Sequence, residues 1–87
     1  MSSSPPPAVT LLTRPGCHLC EDARRSVDRV TSALGLGWEE VDVDADPELA
    51  RRHAEEIPVV LVDGVPRDFW RIDERRLARL LRERPAG

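Results

Sequence analysis

No part of this sequence is apolar for long enough to cross a bilayer, because a spanning helix needs about 20 mostly apolar residues. The first seven residues, Met1 to Pro7, are rich in serine and proline and carry no basic side chain. They precede only a short apolar run, so they do not have the pattern of a secretory signal. We expect these residues to form a disordered or extended tail, and we expect a cytoplasmic protein with no membrane partner.

An excess of positive charge is also absent. The formal net charge of the 87 residues is −3, and all 13 basic residues are arginine, since lysine does not occur. We attribute the lack of lysine to coding bias and give it no mechanistic weight. A chain of this charge offers no broad basic surface, so nucleic acid is not an expected partner. Aromatic residues make up only 3%, but a hydrophobic share of 40% suffices for a small core, and we expect one monomeric domain over residues 8–87.

Cysteine is scarce, but the two that occur, Cys17 and Cys20, lie close together. In the cytoplasm such a pair indicates catalysis or metal binding rather than a structural cross-link. A short apolar run before the pair predicts a strand, and an amphipathic segment after it predicts a helix. Residues three apart on a helix share a face, which brings the two sulfurs within reach of a disulfide. Because a helix N-terminus favours the thiolate, we predict a redox-active pair with Cys17 open to solvent and Cys20 pointing inward.

The remaining pattern predicts three more strands and two more helices. The predicted strands are 9–13, 38–43, 57–62 and 65–70, and the predicted helices are 18–34, 47–55 and 74–84. Asp46 and Asp73 are placed to cap the second and third helices. Asp63-Gly64 predicts a tight hairpin, and Pro66 predicts that the last strand is an edge strand. An X-Pro bond at the start of a central strand predicts a cis Ile57–Pro58 bond.

Metal binding has weaker support. The acidic run Asp42 to Pro47 resembles the start of a calcium loop, but Pro47 stands where such a loop needs glycine, and His53 stands where it needs glutamate. An acidic strand end followed by a helix cap is therefore the preferred interpretation. The two cysteines with His18 and His53 cannot easily close a four-ligand zinc site in one chain. We expect no metal ligands, and a dimer sharing a cluster between two Cys17 residues stays open as an alternative.

Three motifs together resemble the thioredoxin superfamily, and within it the glutaredoxin-like proteins, over residues 9–81. The first is Arg14-Pro15-Gly16-Cys17-His18-Leu19-Cys20, which is similar to the basic-Pro-x-Cys-x-x-Cys of glutaredoxins. The second is Ile57-Pro58, at the position of the family's Val-Pro, whose proline is cis. The third is the Asp63-Gly64 hairpin that leads into the last helix. The resemblance implies an α/β thioredoxin/glutaredoxin fold, βαβαββα, with a four-stranded mixed sheet in the order 2-1-3-4 and three helices on its two faces.

The resemblance also implies a role for each residue of these motifs. Cys17 would be the attacking thiolate, and Cys20 would be the buried thiol that resolves the mixed disulfide. Pro58 would pack against the disulfide and leave the backbone of Ile57 free to pair with a substrate. Glutathione or another low-molecular-weight thiol is the implied reductant, and no bound cofactor is expected.

Further contacts follow from the same resemblance. Arg14 matches the basic residue that glutaredoxins direct at the glutathione carboxylate, and Asp73 is carried over as a substrate contact. His18, if protonated, would stabilise the Cys17 thiolate, and a solvated His18 with little effect is the equal alternative. The sequence departs from glutaredoxins at three points: His-Leu replaces Pro-Tyr between the cysteines, Glu56 replaces threonine, and Arg71-Ile72 replaces Gly-Gly.

Two classes of function remain in view. The first is a thiol–disulfide oxidoreductase that acts on protein or low-molecular-weight disulfides through Cys17 and Cys20. The second is a protein of the same fold that does not carry out this reaction, because fold alone does not fix function. It is either a binding or adaptor module with idle cysteines or a dimer that binds a metal or an iron–sulfur cluster. Trp70 is expected to fill a core or capping position rather than to form a platform for substrate.

Overall fold

The computed structural model describes residues 7–53 and 55–84. The predicted tail before Pro7 and the predicted helical residue Ala54 lie outside the described residues, as do residues 85–87. The elements are β1 (Val9–Thr13), α1 (His18–Ala33), β2 (Trp38–Asp42), α2 (Pro47–His53), β3 (Val59–Val62), β4 (Val65–Phe69) and α3 (Glu74–Glu83). Among the described residues, no helix combines the length and the apolar character needed to cross a membrane.

The four strands form one mixed sheet in the order β2-β1-β3-β4, which confirms the predicted topology. Strand β1 runs parallel to β2 and antiparallel to β3, and β4 forms an antiparallel hairpin with β3. Leu12 lies opposite Val41 on one side and Val59 on the other. The segment that follows β1 and the segment that precedes β3 are therefore brought to the same end of the sheet, and this end carries the two cysteines.

Both faces of the sheet are covered, because side chains alternate between the faces along each strand. Leu11 faces one side and packs with Val27 of α1 and Leu77 of α3. Leu12 faces the opposite side and packs with Val59, next to the short helix α2. All five side chains are at most 2% exposed. Helix α1, which begins at the cysteine pair, is thus fixed to the sheet by its buried stripe.

The predicted turns and caps are present. The carboxylate of Asp46 accepts the Glu48 N–H at 3.0 Å, and that of Asp73 accepts the N–H groups of two residues in the first turn of α3 at 3.0 and 3.1 Å. The hairpin residues Asp63 and Gly64 have φ of 51° and 82°. A two-residue type I′ turn needs left-handed backbone at both positions, which is why this dipeptide predicts a hairpin. Pro66 lies on β4, an edge strand, as predicted.

Several element boundaries differ from the prediction by one or two residues: α1, β4 and α3 each end one residue earlier than predicted, and the ends of β2 and α2 and the start of β3 also move. Strand β2 ends at Asp42, whose carboxylate accepts the Asp44 N–H at 2.9 Å and turns the next residues into one turn of 3₁₀ helix. Strand β3 begins two residues later than predicted, because Pro58 has no N–H to donate to a ladder. Helix α2 ends at His53, whose carbonyl oxygen accepts the Glu56 N–H at 2.9 Å.

Candidate active site

Cys17 is the N-cap residue of helix α1. Its backbone is extended, with φ −92° and ψ 114°, and its Sγ accepts a hydrogen bond from the Cys20 backbone N–H at 3.2 Å. The turn before it depends on Gly16, whose φ of +78° is readily adopted only by glycine. The side chain is half-buried. A backbone donor and a helix N-terminus both favour negative charge on this sulfur.

Cys20 is the buried partner in the pair. It has no exposed surface, and it is present as a thiol, like Cys17. Burial, followed by the hydrogen bond with the Cys17 side chain, raises the pKa of the Cys20 thiol to about 11. The Arg14 backbone and the Arg24 charge act in the opposite direction. The two cysteines therefore differ in access: Cys20 points inward as predicted, whereas Cys17 is half-buried rather than open to solvent.

A polar cluster next to Cys20 was not identified from the sequence. Arg24 donates from Nε and Nη2 to the two carboxylate oxygens of Glu40, each at 2.8 Å. The hydroxyl of Thr13, which is 2% exposed, donates to the same carboxylate at 2.7 Å. The guanidinium of Arg24 holds the pKa of the Glu40 carboxyl below its usual range. The spacing of Arg24 from Cys20, four residues on one helix, is the only signal in the sequence that could have pointed to this cluster.

His18 and Arg14 are the other two site residues predicted from the cysteine motif. His18 is the first residue of α1, and its side chain is exposed to solvent. Arg14 lies in the turn before the motif, and its Nε is 3.4 Å from the Asp44 carboxylate. The roles assigned to both residues stay predictions.

The Ile57–Pro58 bond is cis, as predicted. Pro58 is fully buried, and Ile57 packs against the core cluster on the α2 side of the sheet. Because Leu12 pairs with Val59, the Pro58 segment lies beside the end of β1, on the way to Cys17. The Pro58 carbonyl oxygen accepts the Trp70 N–H at 2.8 Å, and this bond holds the loop after β4 at the same end of the sheet.

Trp70 does not occupy the core position expected for it. Its side chain is 52% exposed, and its φ of 64° places a bulky residue in the left-handed region. The indole Nε1 donates to the Glu55 carbonyl oxygen at 2.9 Å, and the ring meets Phe69 edge to face at 5.0 Å. Phe69 is itself 45% exposed. The core half of the core-or-capping expectation was therefore wrong, and the capping half stays a prediction.

A groove of about 240 Å³ runs between α1 and the loop before α3. Its lining is mixed: Leu19, from between the two cysteines, faces Trp70 and Ile72 across the groove, and Asp22 and Arg71 add a charge on each side. Asp73 follows this loop, but its carboxylate Oδ1 is engaged in capping α3. Its predicted role as a substrate contact stays a prediction. Within residues 7–53 and 55–84, no group of three or more His, Cys, Asp or Glu side chains is placed to hold a metal ion.

Comparison with known proteins identifies a family for this chain. A model of the family described as "Glutaredoxin-like domain (DUF836)" matches residues 8–82. The uncharacterized protein Rv0508 of Mycobacterium tuberculosis is 37% identical over 76 residues, which cover 82% of this chain and 78% of that protein.

Solved structures show the same fold. The X-ray structure of the structural genomics target XcR50 from X. campestris has a TM-score of 0.73 at 27% identity and covers 90% of this chain and 100% of that one. Fasciola hepatica thioredoxin has a TM-score of 0.58 at 22% identity, with 85% of this chain and 76% of that one covered, and this likeness shows the fold alone. With the Cys-x-x-Cys pair at the start of α1 and the sheet order β2-β1-β3-β4, the chain belongs to the glutaredoxin-like family of the thioredoxin superfamily.

Proposed function

We propose that this protein is a thiol–disulfide oxidoreductase that uses Cys17 as nucleophile and Cys20 as resolving thiol. The observation that carries the proposal is the asymmetry of the pair. Cys17 caps a helix, is partly accessible and accepts a backbone hydrogen bond, whereas Cys20 is buried and has a raised pKa. Such an arrangement supports a first attack by Cys17, with Cys20 protonated until a mixed disulfide has formed.

The proposed reaction has two exchange steps. The Cys17 thiolate attacks one sulfur of a substrate disulfide, a Cys17–substrate disulfide forms, and the other substrate sulfur leaves as a thiolate. Cys20 then loses its proton and attacks Cys17 Sγ, so that the intramolecular disulfide forms and the second substrate thiolate leaves. The substrate gains two electrons and the protein loses two. A low-molecular-weight thiol, glutathione included, or a protein reductase returns the pair to the dithiol form.

Protein disulfides are the substrate class that we favour. The groove beside Leu19 has apolar and charged side chains on both walls, and the exposed rings of Phe69 and Trp70 lie next to the Pro58 segment. An extended polypeptide would bury this aromatic surface on binding, whereas a small thiol would cover little of it. We propose that the protein acts as a cytoplasmic monomer without nucleic acid or membrane partners.

The activity is tested with a protein disulfide and a small-molecule disulfide as separate substrates. We expect Cys17→Ser to abolish reduction of both substrates, because it removes the nucleophile. Cys20→Ser should accumulate a Cys17–substrate adduct that mass spectrometry detects, because no resolving thiol remains. Circular dichroism of both variants controls for folding. If the wild-type protein reduces neither substrate and never forms the Cys17–Cys20 disulfide, the binding-module alternative replaces the enzyme.

The substrate class is tested at the aromatic surface. Trp70→Ala should lower turnover of the protein disulfide while leaving that of the small disulfide unchanged. Trp70→Phe, which keeps an aromatic ring, should retain part of the wild-type turnover of the protein disulfide. Val65→Ala is the matched control, because Val65 is 46% exposed on β4, the strand that ends just before Trp70, but lies at the hairpin end. Equal losses with both substrates in Trp70→Ala would contradict a substrate-binding role for the ring.

A further inference from the structure

The polar cluster of Thr13, Arg24 and Glu40 joins three elements at the start of helix α1. Thr13 is the last residue of β1, Glu40 belongs to β2 and Arg24 lies on α1. In the parallel register of β1 and β2, Leu11 lies opposite Glu40, so the Thr13 and Glu40 side chains emerge on the face that α1 covers. The carboxylate thereby receives three donors between 2.7 and 2.8 Å.

This cluster fixes a positive charge one helical turn beyond the resolving cysteine. Cys20 and Arg24 are four residues apart on α1, the spacing at which helical side chains are neighbours. A lone arginine in this position would be free to swing into solvent. The paired hydrogen bonds to Glu40 hold the guanidinium in one orientation, and the buried Thr13 hydroxyl holds the carboxylate in turn.

We infer that Arg24 is a positioning residue for the resolving step, in which its guanidinium stabilises the thiolate of Cys20 as that thiolate forms. Glu40 has two opposing effects: it orients the guanidinium, and its own negative charge offsets part of the positive charge that Cys20 experiences. Thr13 acts through Glu40. The inference rests on the proposed function for the assignment to a reaction step, but the effect of the charge on Cys20 is a property of the chain itself.

The step in question is the second exchange. Cys20 gives its proton to solvent, its sulfur forms a bond to Cys17 Sγ, and the bond between Cys17 and the substrate sulfur breaks. The electron pair of the broken bond leaves with the substrate thiolate. Burial and the neighbouring Cys17 raise the pKa of the Cys20 thiol, and the charge of Arg24 lowers it, which agrees in direction with this role.

Several other charged groups lie near α1, and some of them form ion pairs. The loop before α1 contributes Arg14, which lies 3.4 Å from Asp44, and α3 contributes Glu74, which pairs with Arg29 at 2.6 Å. Glu21 lies in the first turn of α1, and its charge favours the charged form of Arg24. Strand β2 contributes the Glu40 carboxylate described above.

The first test measures Cys20 alone, with no disulfide substrate. In a Cys17→Ser background, the rate of alkylation by iodoacetamide at about pH 9 reports the thiolate fraction of Cys20. We expect Arg24→Met to lower this rate by about threefold to tenfold, since it removes the positive charge and leaves Glu40 uncompensated. We expect Glu40→Gln to raise it by a similar factor, because Arg24 then loses its counter-charge. Arg24→Lys should restore most of the rate.

The matched control is Arg25→Met. Arg25 is the next residue on the same helix and pairs with Asp22, so it carries the same charge without a link to Glu40. Opposite changes in Arg24→Met and Glu40→Gln with no change in Arg25→Met support the inference, because loosened packing would shift both rates in the same direction. Changes of the same sign, or equal rates in Arg24→Met and Arg25→Met, overturn it.

The second test isolates the resolving step in the chain with both cysteines. With 5,5′-dithiobis(2-nitrobenzoate), Cys17 releases a first coloured thiolate as it forms the mixed disulfide, and Cys20 releases a second as it resolves it. Arg24→Met should slow the second phase alone, and Glu40→Gln should accelerate it alone. Equal effects on both phases overturn the assignment to the resolving step. A wild-type protein that releases both thiolates from this activated aromatic reagent but turns over neither the protein disulfide nor an unactivated alkyl disulfide contradicts the proposed function, while the response of the second phase still decides this inference.

Discussion

The burial of Cys20 predicts a large difference in reactivity between it and an ordinary cysteine. With a pKa of about 11, about one Cys20 side chain in a thousand is a thiolate at about pH 8. An ordinary cysteine with a pKa of ~8.5 is roughly one-quarter ionised at that pH. Ionisation alone therefore slows Cys20 about 200-fold, and its lack of exposed surface slows it further.

The assay is alkylation of the fully reduced protein by iodoacetamide, with the modified cysteine identified by peptide mass spectrometry. We expect a single alkyl group on Cys17 long before any appears on Cys20. The ratio of the Cys17 alkylation rate to the Cys20 alkylation rate should fall as the pH rises towards 11, because the Cys20 thiolate then becomes populated. In concentrated urea the two cysteines should react at similar rates, since unfolding removes the burial that separates them. Comparable rates for both cysteines in the native protein at about pH 8 would refute the asymmetry on which the proposed function depends.

Three further predictions concern stability. Asp73→Ala should cost about 1 kcal/mol and lower the melting temperature by about 4–8 °C, because two N–H groups of α3 lose their acceptor; thermal unfolding followed by circular dichroism measures this. Leu77→Ala should cost about 2–5 kcal/mol in urea unfolding, because it empties a site that is 2% exposed, and a loss below 1 kcal/mol would contradict the core assignment. Arg24 lowers the pKa of Glu40 in the folded state, so the stability that this carboxylate contributes is present above its unfolded pKa of ~4.3 and is lost as pH falls through the folded value. The difference in unfolding free energy between wild type and Glu40→Gln should therefore be largest near neutral pH and shrink in acid, and a difference that does not change with pH would contradict the pairing.

Much of the fold could be predicted from local signals in the sequence. The uncharged strand before Cys17 predicts a central strand, and the Asp63-Gly64 dipeptide fixes a hairpin because its backbone requirement is strict. Asp46 and Asp73 precede their helices at the capping position, where a short acidic side chain meets unpaired N–H groups. Each of these signals acts within a few residues, so no knowledge of distant contacts is needed.

The rest of the site depends on contacts between distant parts of the chain. Glu40 meets Thr13 only because of the register between two parallel strands, and hydrophobic patterning does not specify that register for polar side chains. Trp70 is exposed and has a left-handed backbone, and the composition of the segment shows neither property. The sequence therefore predicts where the sulfurs lie but not which charges surround them.

The edge strand β4 has a consequence for how the protein behaves when crowded with copies of itself. An exposed strand edge with apolar side chains is a template on which another chain can extend the sheet, and such growth leads to aggregation. Here Pro66, the second residue of the strand, offers no N–H, and the pairing of β3 with β4 shifts register between Val60 and Leu61. The strand that carries Val65 and Phe69 is thus interrupted in both hydrogen bonding and regularity, which disfavours its use as a template for sheet extension between copies of the chain.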